Sequence, residues 1–351
     1  MSVAGRFIQP DDRRWSAMLA GTPHDFYHRP EYVSFAAAHS GGSAQAFLAE
    51  CGDAALLVPL VVRSLPTALD VPASWRDAIS PYGYSSPLMV AGCSTATEAE
   101  LWQSFVEMCR NASIISVFLR SHPLLPLPDG AGTVGAAVVC HGETVVIDLS
   151  ESVDELWQQT RRNHRRSLRT LEKEGFHTDF DNWAELDDFI HLYRATMRRV
   201  GAREEYLFTS DYFHELKAIG QEHVHLCTVL NAENNTVGAL LFFSCQGIVQ
   251  THLTGTAAEY QELSPSTLLY DAVRSWAKSQ GYNFLHLGGG VGSQNDSVFA
   301  FKAGFSKHRA LFHTVRMVCD PERYACLAAR VEAEDRATDI SRGYFPVYRQ
   351  S

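Results

Sequence analysis

Lysine is the charged residue that this sequence uses least. Of its 30 basic residues only five are lysine, and none of them lies in the first 172 positions. The five are Lys173, Lys217, Lys278, Lys302 and Lys307. A bias toward arginine codons is the simplest explanation of this scarcity. Whatever its origin, the scarcity means that a lysine-dependent reaction step has only five candidate residues. It also means that the first half of the chain has no lysine side chain to offer.

Long apolar runs and closely spaced cysteines are also absent. The longest apolar run, residues 237–243, is far shorter than a membrane span. No leader pattern opens the sequence, so we expect a cytoplasmic protein without a membrane span. The closest of the eight cysteines, Cys319 and Cys326, are too far apart for a Cys-x-x-Cys pair. We therefore expect reduced thiols and no zinc.

The charge balance and the missing motifs exclude further classes of protein. Forty acidic residues against 30 basic ones give a net charge of −10, which argues against a general nucleic-acid binder. The G-x-S-x-G, P-loop and H-E-x-x-H signatures are absent, which excludes the common hydrolase, nucleotidase and zinc-protease sites. The hydrophobic fraction of 46% is typical of a globular protein, and 351 residues favour two domains over one.

Strands and helices alternate along both halves of the chain, which predicts an α/β (α+β) fold. The hydrophobic period changes from two to nearly four at 150–154, where we predict the start of a long helix, Val153–Glu174, and place the domain boundary. In the first half we predict a hairpin of strands 45–49 and 54–63, a helix at 97–111, and strands at 113–119 and 144–149.

The second half gives a clearer pattern. Ser264 is expected to cap a helix whose first turn contains Pro265. The predicted helices are 186–200, 211–219, 266–280 and 297–303, and the predicted strands are 223–230, 237–244, 248–254, 284–287 and 311–318.

A run of glycines follows the strand at 284–287, in the segment His286-Leu-Gly-Gly-Gly290. Glycines between a strand and a helix let backbone N–H groups approach an anion, although a simple turn explains them equally well. No acidic residue closes a βαβ unit after this run, so a dinucleotide site fits poorly. Asp296, just beyond it, is expected to cap the next helix.

Lys302 lies between two phenylalanines on that helix. Phe301 and Phe305 are four positions apart and can share a buried face, from which Lys302 is turned about 100° away. The alternative is a surface lysine on a capped helix.

The chain has one basic cluster. On a helix, positions 161, 165 and 169 form one stripe, and 162, 166 and 173 lie beside it. Like charges at this spacing repel each other by roughly 0.2–0.5 kcal/mol unless an anion neutralises them. A phosphate site and a solvated surface are equally good interpretations. His164, within the cluster, is expected to pack against the core.

Arginine and tyrosine recur in one further segment, Tyr193 to Tyr206, and polar residues recur at 252–256. Arginine with tyrosine can clamp a carboxylate or a phosphate, and tyrosines that fix helix packing account for the pattern equally well. The aromatic turn Ser80-Pro-Tyr-Gly-Tyr-Ser-Ser-Pro87 either lines a cleft or packs as a loop.

Together these stretches resemble the FemABX-like branch of the GNAT acyltransferases. The likeness covers nearly the whole chain and is strongest from Val153 to Phe305. It rests on seven motifs in order, namely the loop 80–84, the basic helix 161–169, Tyr193-x-x-x-Met-x-Arg199, His252-Leu-Thr-Gly-Thr256, Leu263-Ser-Pro-Ser-Thr267, His286-Leu-Gly-Gly-Gly290 and Phe301-Lys-x-Gly-Phe305. The resemblance implies two GNAT-like modules, each a mixed sheet flanked by helices, that share a cleft. The first is 1–149 completed by 307–351, and the second, 150–306, carries the acyl-transfer site.

The resemblance also implies an activity. An aminoacyl group would move from aminoacyl-tRNA to an amine by direct attack, without a covalent enzyme intermediate or a bound cofactor. Lys302 would be the catalytic cation near the reacting ester. The acceptor would bind to Tyr82, Tyr84, Arg199, Arg203, Tyr206, His252 and Thr256. The donor would bind to Gly255, Ser264, Ser266, His286, Gly288, Gly289, Gly290, Arg162, Arg165 and Arg166.

Donor and acceptor are the less determined parts of this prediction. The segment 255–266 lacks the glycines of a coenzyme A pyrophosphate loop and carries Glu259 and Glu262, which favours charged tRNA over acyl-CoA. An acyl-CoA-dependent N-acyltransferase and a non-catalytic binding module are the alternatives. The acceptor is a peptide, a cell-wall precursor or a small biosynthetic amine. A lysine-free first module disfavours a UDP-linked precursor, although Arg29, Arg63 or Arg76 offers another cation.

Overall fold

The structure, a computed structural model, describes residues 3–90, 94–333, 335 and 338–350. Its strands are β1 Ala4–Ile8, β2 Ser43–Cys51, β3 Ala54–Ser64, β4 Arg76–Ile79, β5 Leu88–Met89, β6 Ile114–Arg120, β7 Ala137–Asp148, β8 His177–Phe180, β9 Val224–Leu230, β10 Thr236–Cys245, β11 Ile248–Thr256, β12 Phe284–Gly288 and β13 His308–Val318. Its helices are α1 Arg13–Ala20, α2 Pro30–Ser40, α3 Thr95–Asn111, α4 Val153–Gln159, α5 Arg162–Lys173, α6 Leu186–Arg199, α7 Ser210–Gly220, α8 Pro265–Ser279, α9 Ser297–Lys302 and α10 Pro321–Ala329. None of the helices within those described ranges is long and apolar enough to cross a bilayer.

The chain divides into two compact units. One comprises Met1–His141 and Leu311–Ser351, and the other comprises Gly142–Ala310. The chain passes between them within β7 and β13, whereas the sequence places the first boundary at 149/150. The later half of β7 belongs to the second unit because its residues 145–148 pair with β12. The change of period at 150–154 therefore marks the start of α4, which Ser152 caps, rather than the edge of a unit.

The first unit contains a mixed sheet in the order β1-β2-β3-β4-β6-β13, with β5 paired to β3. The predicted hairpin is confirmed, since β2 and β3 pair from Cys51–Ala54 outward. Helix α3 packs on the sheet through the buried Leu101, Trp102 and Phe105. These apolar residues recur three and four apart, so one face of the helix enters the core.

The second unit has a sheet in the order β7-β12-β11-β10-β9-β8, in which β11 and β12 are the parallel pair. Residues 237–245 of β10 are all buried, which accounts for the longest apolar run. Helices α6 and α8 cover opposite faces of this sheet. A Cβ on Gly255 of β11 would meet α6, whereas one on Gly238 of β10 would face Leu269 of α8.

The prediction of one helix over 153–174 is wrong, because the chain forms α4 and α5 with a break at Thr160 and Arg161. Both residues have extended backbones. The N–H of Arg161 donates to the carbonyl oxygen of Gly304 (2.7 Å) instead of to the preceding turn. Arg274 of α8 stabilises the break by donating to Thr160 Oγ1 (2.7 Å). Arg161 therefore precedes α5, and the predicted stripe of 161, 165 and 169 begins at Arg165.

Candidate functional site

The parallel strands β11 and β12 separate after three residue pairs. Residues 248–250 pair with 284–286, and the described part of the chain shows no pairing of these strands beyond them. Strand β11 continues to Thr256. Strand β12 pairs on its other side with β7, and the register of that pairing shifts between His286 and Gly288. On the side away from β10, the edge of β11 at 252–255 is thus open to an extended ligand, whereas the carbonyl oxygen of Thr251 and both backbone groups of Thr256 are already hydrogen-bonded to side chains.

A polar cluster fills the point where the strands separate. Gln250 and His286 are at most 1% exposed, and Gln250 Oε1 is hydrogen-bonded to His286 Nδ1. Thr251 Oγ1 donates to the carbonyl oxygen of His286 (3.3 Å). Burial raises the pKa of the Tyr270 hydroxyl, and the neighbouring side chains of Thr254 and Thr251 oppose this shift. His286 therefore lies in the interior, and its contact with a donor stays a prediction. Sequence reasoning did not single out Gln250, Thr251 or Tyr270.

A β-bulge at His252 sets the direction of the side chains of β11. Opposite Leu241 and Phe242 of β10 lie Leu253 and Thr251, so His252 is the extra residue. Its ring lies 4.5 Å from that of Phe243, and burial lowers the pKa of His252 to about 3. The imidazole is neutral at ordinary pH and offers no positive charge to an acceptor.

Gly255 lies directly against the backbone of helix α6. A Cβ there would be 2.4 Å from the backbone nitrogen of Tyr193 and 2.5 Å from the carbonyl carbon of Leu192. Only glycine fits against this helix backbone. Packing against α6 therefore explains why position 255 is a glycine. The predicted contact of Gly255 with the acyl donor stays a prediction, and only backbone atoms could make it.

The glycine run 288–290 is connected to α9 by Asp296. Gly288 has a φ of +75°, which begins the turn after β12. The carboxylate of Asp296 accepts hydrogen bonds from the N–H groups of Val291 (3.0 Å) and Phe299 (2.9 Å). Burial alone would raise the pKa of Asp296, but these backbone donors hold it below its ordinary value. The predicted cap is confirmed, and it ties the loop to the helix that carries Lys302.

Lys302 Nζ donates a hydrogen bond to the carbonyl oxygen of Gly289 (2.8 Å). Burial lowers the pKa of Lys302 to about 8, although nearby Asp296 favours the charged form. The rings of Phe301 and Phe305 contact each other and Tyr270, with centroids 5.4–5.7 Å apart. The predicted shared face of the two phenylalanines is confirmed, and it holds the backbone of Lys302 against the core. An ammonium held in this way can donate to an oxygen on which negative charge develops.

Two arginines of the predicted acceptor site are Arg199, the last residue of α6, and Arg203, in the segment that follows it. The guanidinium of Arg199 donates to the carbonyl oxygen of Thr256 (3.3 Å), which also accepts from Thr196 Oγ1 (3.2 Å). These bonds tie α6 to the last residue of β11. Arg203 is exposed, pairs with Glu205 (2.7 Å), and lies over the ring of Tyr206. The structure thus brings Arg199 to Thr256 and Arg203 to Tyr206, as two separate pairs.

The aromatic loop 80–87 belongs to the first unit. Tyr84 packs edge-on against Tyr27, His122 and Phe312, with centroids 5.5–6.1 Å apart. Tyr82 is 39% exposed, and its carbonyl oxygen accepts a hydrogen bond from another tyrosine of the unit. Tyr82 therefore presents its ring to solvent, and Tyr84 is partly buried.

The basic cluster lines an open groove of about 600 Å³ on the surface of α5. Its lining residues are Arg162, Arg165, Arg166, Arg169, Thr170 and Lys173. The guanidinium groups of Arg165 and Arg169 lie over the ring of Trp157, 5.9 Å and 5.7 Å from its centroid. Within the described residues, none of these five cations has an acidic partner. The groove therefore has the charge and the room for a phosphate-bearing ligand.

The start of α8 differs from its prediction. Ser264 has a φ of +55° and makes no side-chain cap, so the helix begins at Pro265, with Ser266 in its first turn. The preceding turn, 258–263, exposes Glu259 and Glu262. Two carboxylates this close to the helix start oppose an anion there. No group of three or more His, Cys, Asp or Glu side chains in the described ranges is placed to hold a metal ion.

The chain is similar to known proteins in sequence over one segment and in fold over most of its length. Residues 158–302 match the family model described as an acetyltransferase (GNAT) domain. No curated protein matches the sequence. The fold matches a structure of FemX with a TM-score of 0.67 and 11% identity, covering 88% of this chain and 96% of that one.

Two further solved structures share the fold. The structure of L-PGS from Bacillus licheniformis matches with a TM-score of 0.58 and 12% identity, covering 93% of this chain and 98% of that one. The C-terminal domain of a putative lysylphosphatidylglycerol synthetase from Agrobacterium fabrum matches with a TM-score of 0.55 and 16% identity, covering 90% and 94%.

These matches confirm the resemblance drawn from the seven motifs. The family match lies in the second unit and ends at Lys302, so it contains the separating strands, the glycine run and the basic helix. Residues 158–302 therefore match an acetyltransferase (GNAT) domain, and the chain has a FemX-like fold.

Proposed function

We propose that the protein transfers an aminoacyl group from aminoacyl-tRNA to an amine. The observation that carries this proposal is the groove of five cations on α5. Helix α5 presents the cations of this groove on one face, and on the other His164 contacts the segment that contains Lys302. A donor whose phosphates occupy the groove is then held by the helix that supports the candidate catalytic lysine.

The reaction proceeds by direct attack. The amine nitrogen forms a bond to the carbonyl carbon of the donor ester, and the bond from that carbon to the ribose oxygen breaks. The proton that the amine loses is balanced by the proton that the ribose hydroxyl gains. Lys302, as an ammonium below about pH 8, donates to the oxyanion of the tetrahedral intermediate beside the glycine loop. The rest of the rate enhancement comes from alignment of the two substrates.

An acyl-CoA donor is the second candidate, because the matched family is named for acetyl transfer and because the open edge of β11 suits an extended ligand. Against it stand Glu259 and Glu262, which are exposed beside the start of α8, where a pyrophosphate would bind. A non-catalytic binding module is the third candidate. A partly buried lysine held against a carbonyl oxygen argues against it, since such a lysine costs stability that a binding surface does not require.

Ion pairs of arginines in the first unit indicate which class of acceptor fits. Two of the three arginines considered for a pyrophosphate in the first unit are already paired, Arg63 with the buried Asp77 (3.0 Å) and Arg29 with Glu31 (3.5 Å). This supports an acceptor without a nucleoside diphosphate, namely a peptide or a small biosynthetic amine, bound in the second unit by Arg199, Arg203, Tyr206, His252 and Thr256, whereas roles for Tyr82 and Tyr84 of the first unit stay a prediction. A charged-tRNA donor is consistent with the expected cytoplasmic location.

The test separates the donors. The protein is incubated with an amine-containing extract and either labelled aminoacyl-tRNA or labelled acetyl-CoA, each with and without ribonuclease. We expect transfer from the tRNA alone, abolished by ribonuclease. Transfer that requires the thioester and survives ribonuclease overturns the tRNA donor in favour of acyl-CoA, and a thermal shift with coenzyme A checks this independently. No transfer from either donor supports the binding module.

A further inference from the structure

His164 contacts the backbone and both phenylalanines of the segment that carries Lys302. Its Nε2 atom lies 2.9 Å from the carbonyl oxygen of Phe301, and its ring lies 5.0 Å from the ring of Phe301 and 4.6 Å from that of Phe305. Phe301 is the residue before Lys302, in the last turn of α9. The same carbonyl oxygen accepts from the N–H of Gly304 (3.0 Å), just after α9, so His164 adds a second donor that comes from another helix and fixes this turn from outside.

The break between α4 and α5 brings further donors and acceptors to the same segment. The carbonyl oxygen of Gly304 accepts from the N–H of Arg161 (2.7 Å), and Gln159 Oε1 accepts from the N–H of Lys307 (3.2 Å). Gly304 also leaves room for the imidazole, since a Cβ at this position would be 2.3 Å from His164 Nε2. Residues 159–164 thus hold 301–307 on both sides of Lys302, and His164 makes the contact nearest to it.

We infer that His164 is a positioning residue for Lys302: its Nε2–H donates to the carbonyl oxygen of Phe301 and thereby keeps the Lys302 ammonium in reach of Gly289. Burial lowers the pKa of His164; the bond to the carbonyl oxygen of Phe301 opposes this shift in part, and the neighbouring Arg161 adds to it. A neutral imidazole with its proton on Nε2 makes this bond at ordinary pH. Asp296, on the loop before α9, is the acidic group that acts on Lys302.

The scarcity of lysine makes a direct measurement possible. With [15N]lysine, the protein gives five Nζ signals in an NMR spectrum, and Lys302→Arg identifies the signal of Lys302. The pKa of Lys302 is then read from its Nζ shift in the wild type and in three variants. His164→Phe keeps the ring but removes the donor, and His164→Gln keeps a donor. Gly304→Ala displaces an intact His164.

We expect the pKa of Lys302 to stay near 8 in His164→Gln. In His164→Phe and Gly304→Ala it should rise by about one unit or more toward its ordinary value, because the ammonium leaves its enclosed position for water. Leu168→Ala is the matched control, since Leu168 is buried on the same helix one turn later. It should lose thermal stability without moving the pKa of Lys302. An unchanged pKa in His164→Phe, or an equal rise in Leu168→Ala, would overturn the inference.

Turnover gives a second readout, which rests on the proposed function. His164→Phe should lower kcat by about tenfold and leave KM for the donor nearly unchanged, because the groove on the other face of α5 is intact. A normal kcat together with a raised pKa would separate Lys302 from catalysis while leaving the positioning by His164 standing. An increase in KM with unchanged kcat and unchanged pKa would overturn it.

Discussion

The ammonium of Lys302 donates to the carbonyl oxygen of Gly289 across 2.8 Å. This bond joins two motifs that the sequence presents separately, the glycine run after β12 and the Phe-Lys-x-Gly-Phe helix. It also fixes the direction of the lysine side chain, which a surface lysine would not have. The glycine loop and the lysine are therefore parts of one candidate site.

Replacing Lys302 should remove most of the activity without unfolding the protein. Lys302→Met should lower kcat by about 10²–10³-fold, the usual effect of removing one donor to an oxyanion. Lys302→Arg should keep part of the wild-type kcat if charge alone matters, and little of it if a compact ammonium is needed. Steady-state kinetics beside thermal melts of the three proteins check this. A Lys302→Met enzyme within about threefold of wild type would remove the lysine from the mechanism.

The same lysine should make stability depend on pH in the alkaline range. Because the pKa of Lys302 is lowered to about 8 in the folded protein, the unfolded chain binds more protons between pH 8 and its ordinary pKa of 10.5. The free energy of unfolding should therefore rise with pH through this window, by at most about 3 kcal/mol. Lys302→Met should be more stable than wild type near neutral pH and lose that advantage by about pH 10.5.

Chemical denaturation of both proteins between pH 7 and 10.5 measures this difference. Lys307→Met is the control, because Lys307 is exposed five positions later. Its stability relative to wild type should not change with pH. A constant difference between wild type and Lys302→Met would show that the lysine is not buried in solution.

The groove on α5 should bind the donor through its phosphates. Replacing Arg162, Arg165 or Arg166 by Gln should weaken donor binding and reduce the salt slope by about one charge each. Stability should change by about 0–1 kcal/mol, because these arginines lie at the surface. Arg198→Gln, an exposed arginine on α6, is the control. An unchanged salt dependence in all three groove variants would indicate a solvated surface.

Gly255 should be required for folding rather than for chemistry alone. Gly255→Ala places a Cβ 2.4 Å from the backbone nitrogen of Tyr193, and a helix backbone cannot move aside without cost. We expect a loss of stability of about 3 kcal/mol or more. Gly238→Ala, on the neighbouring strand, meets its nearest atoms at 3.5 Å and should cost under about 1 kcal/mol. Equal melting temperatures of the two variants would contradict this packing.

Local patterns were sufficient to predict much of the candidate site. The continuous apolar run of β10, the Gly-Asp turn between β2 and β3, the cap at Asp296 and the shared face of Phe301 and Phe305 all depend on neighbours within a few residues. The basic face of α5 is likewise a property of one helix. Such features are visible in the sequence because the hydrogen bonds and the hydrophobic period that produce them are short-range.

What the sequence by itself determined, then, is which residues share a helix face or a turn, and which family motifs they form. Tertiary structure decided where those faces meet. The break at Thr160–Arg161 exists because Gly304, 143 positions later, supplies a carbonyl oxygen that competes with the helical one. The cluster of Gln250, Thr251 and Tyr270 exists because two strands separate and a helix covers the gap. Neither is visible in sequence, since a hydrogen bond between distant segments leaves no periodic trace in either of them.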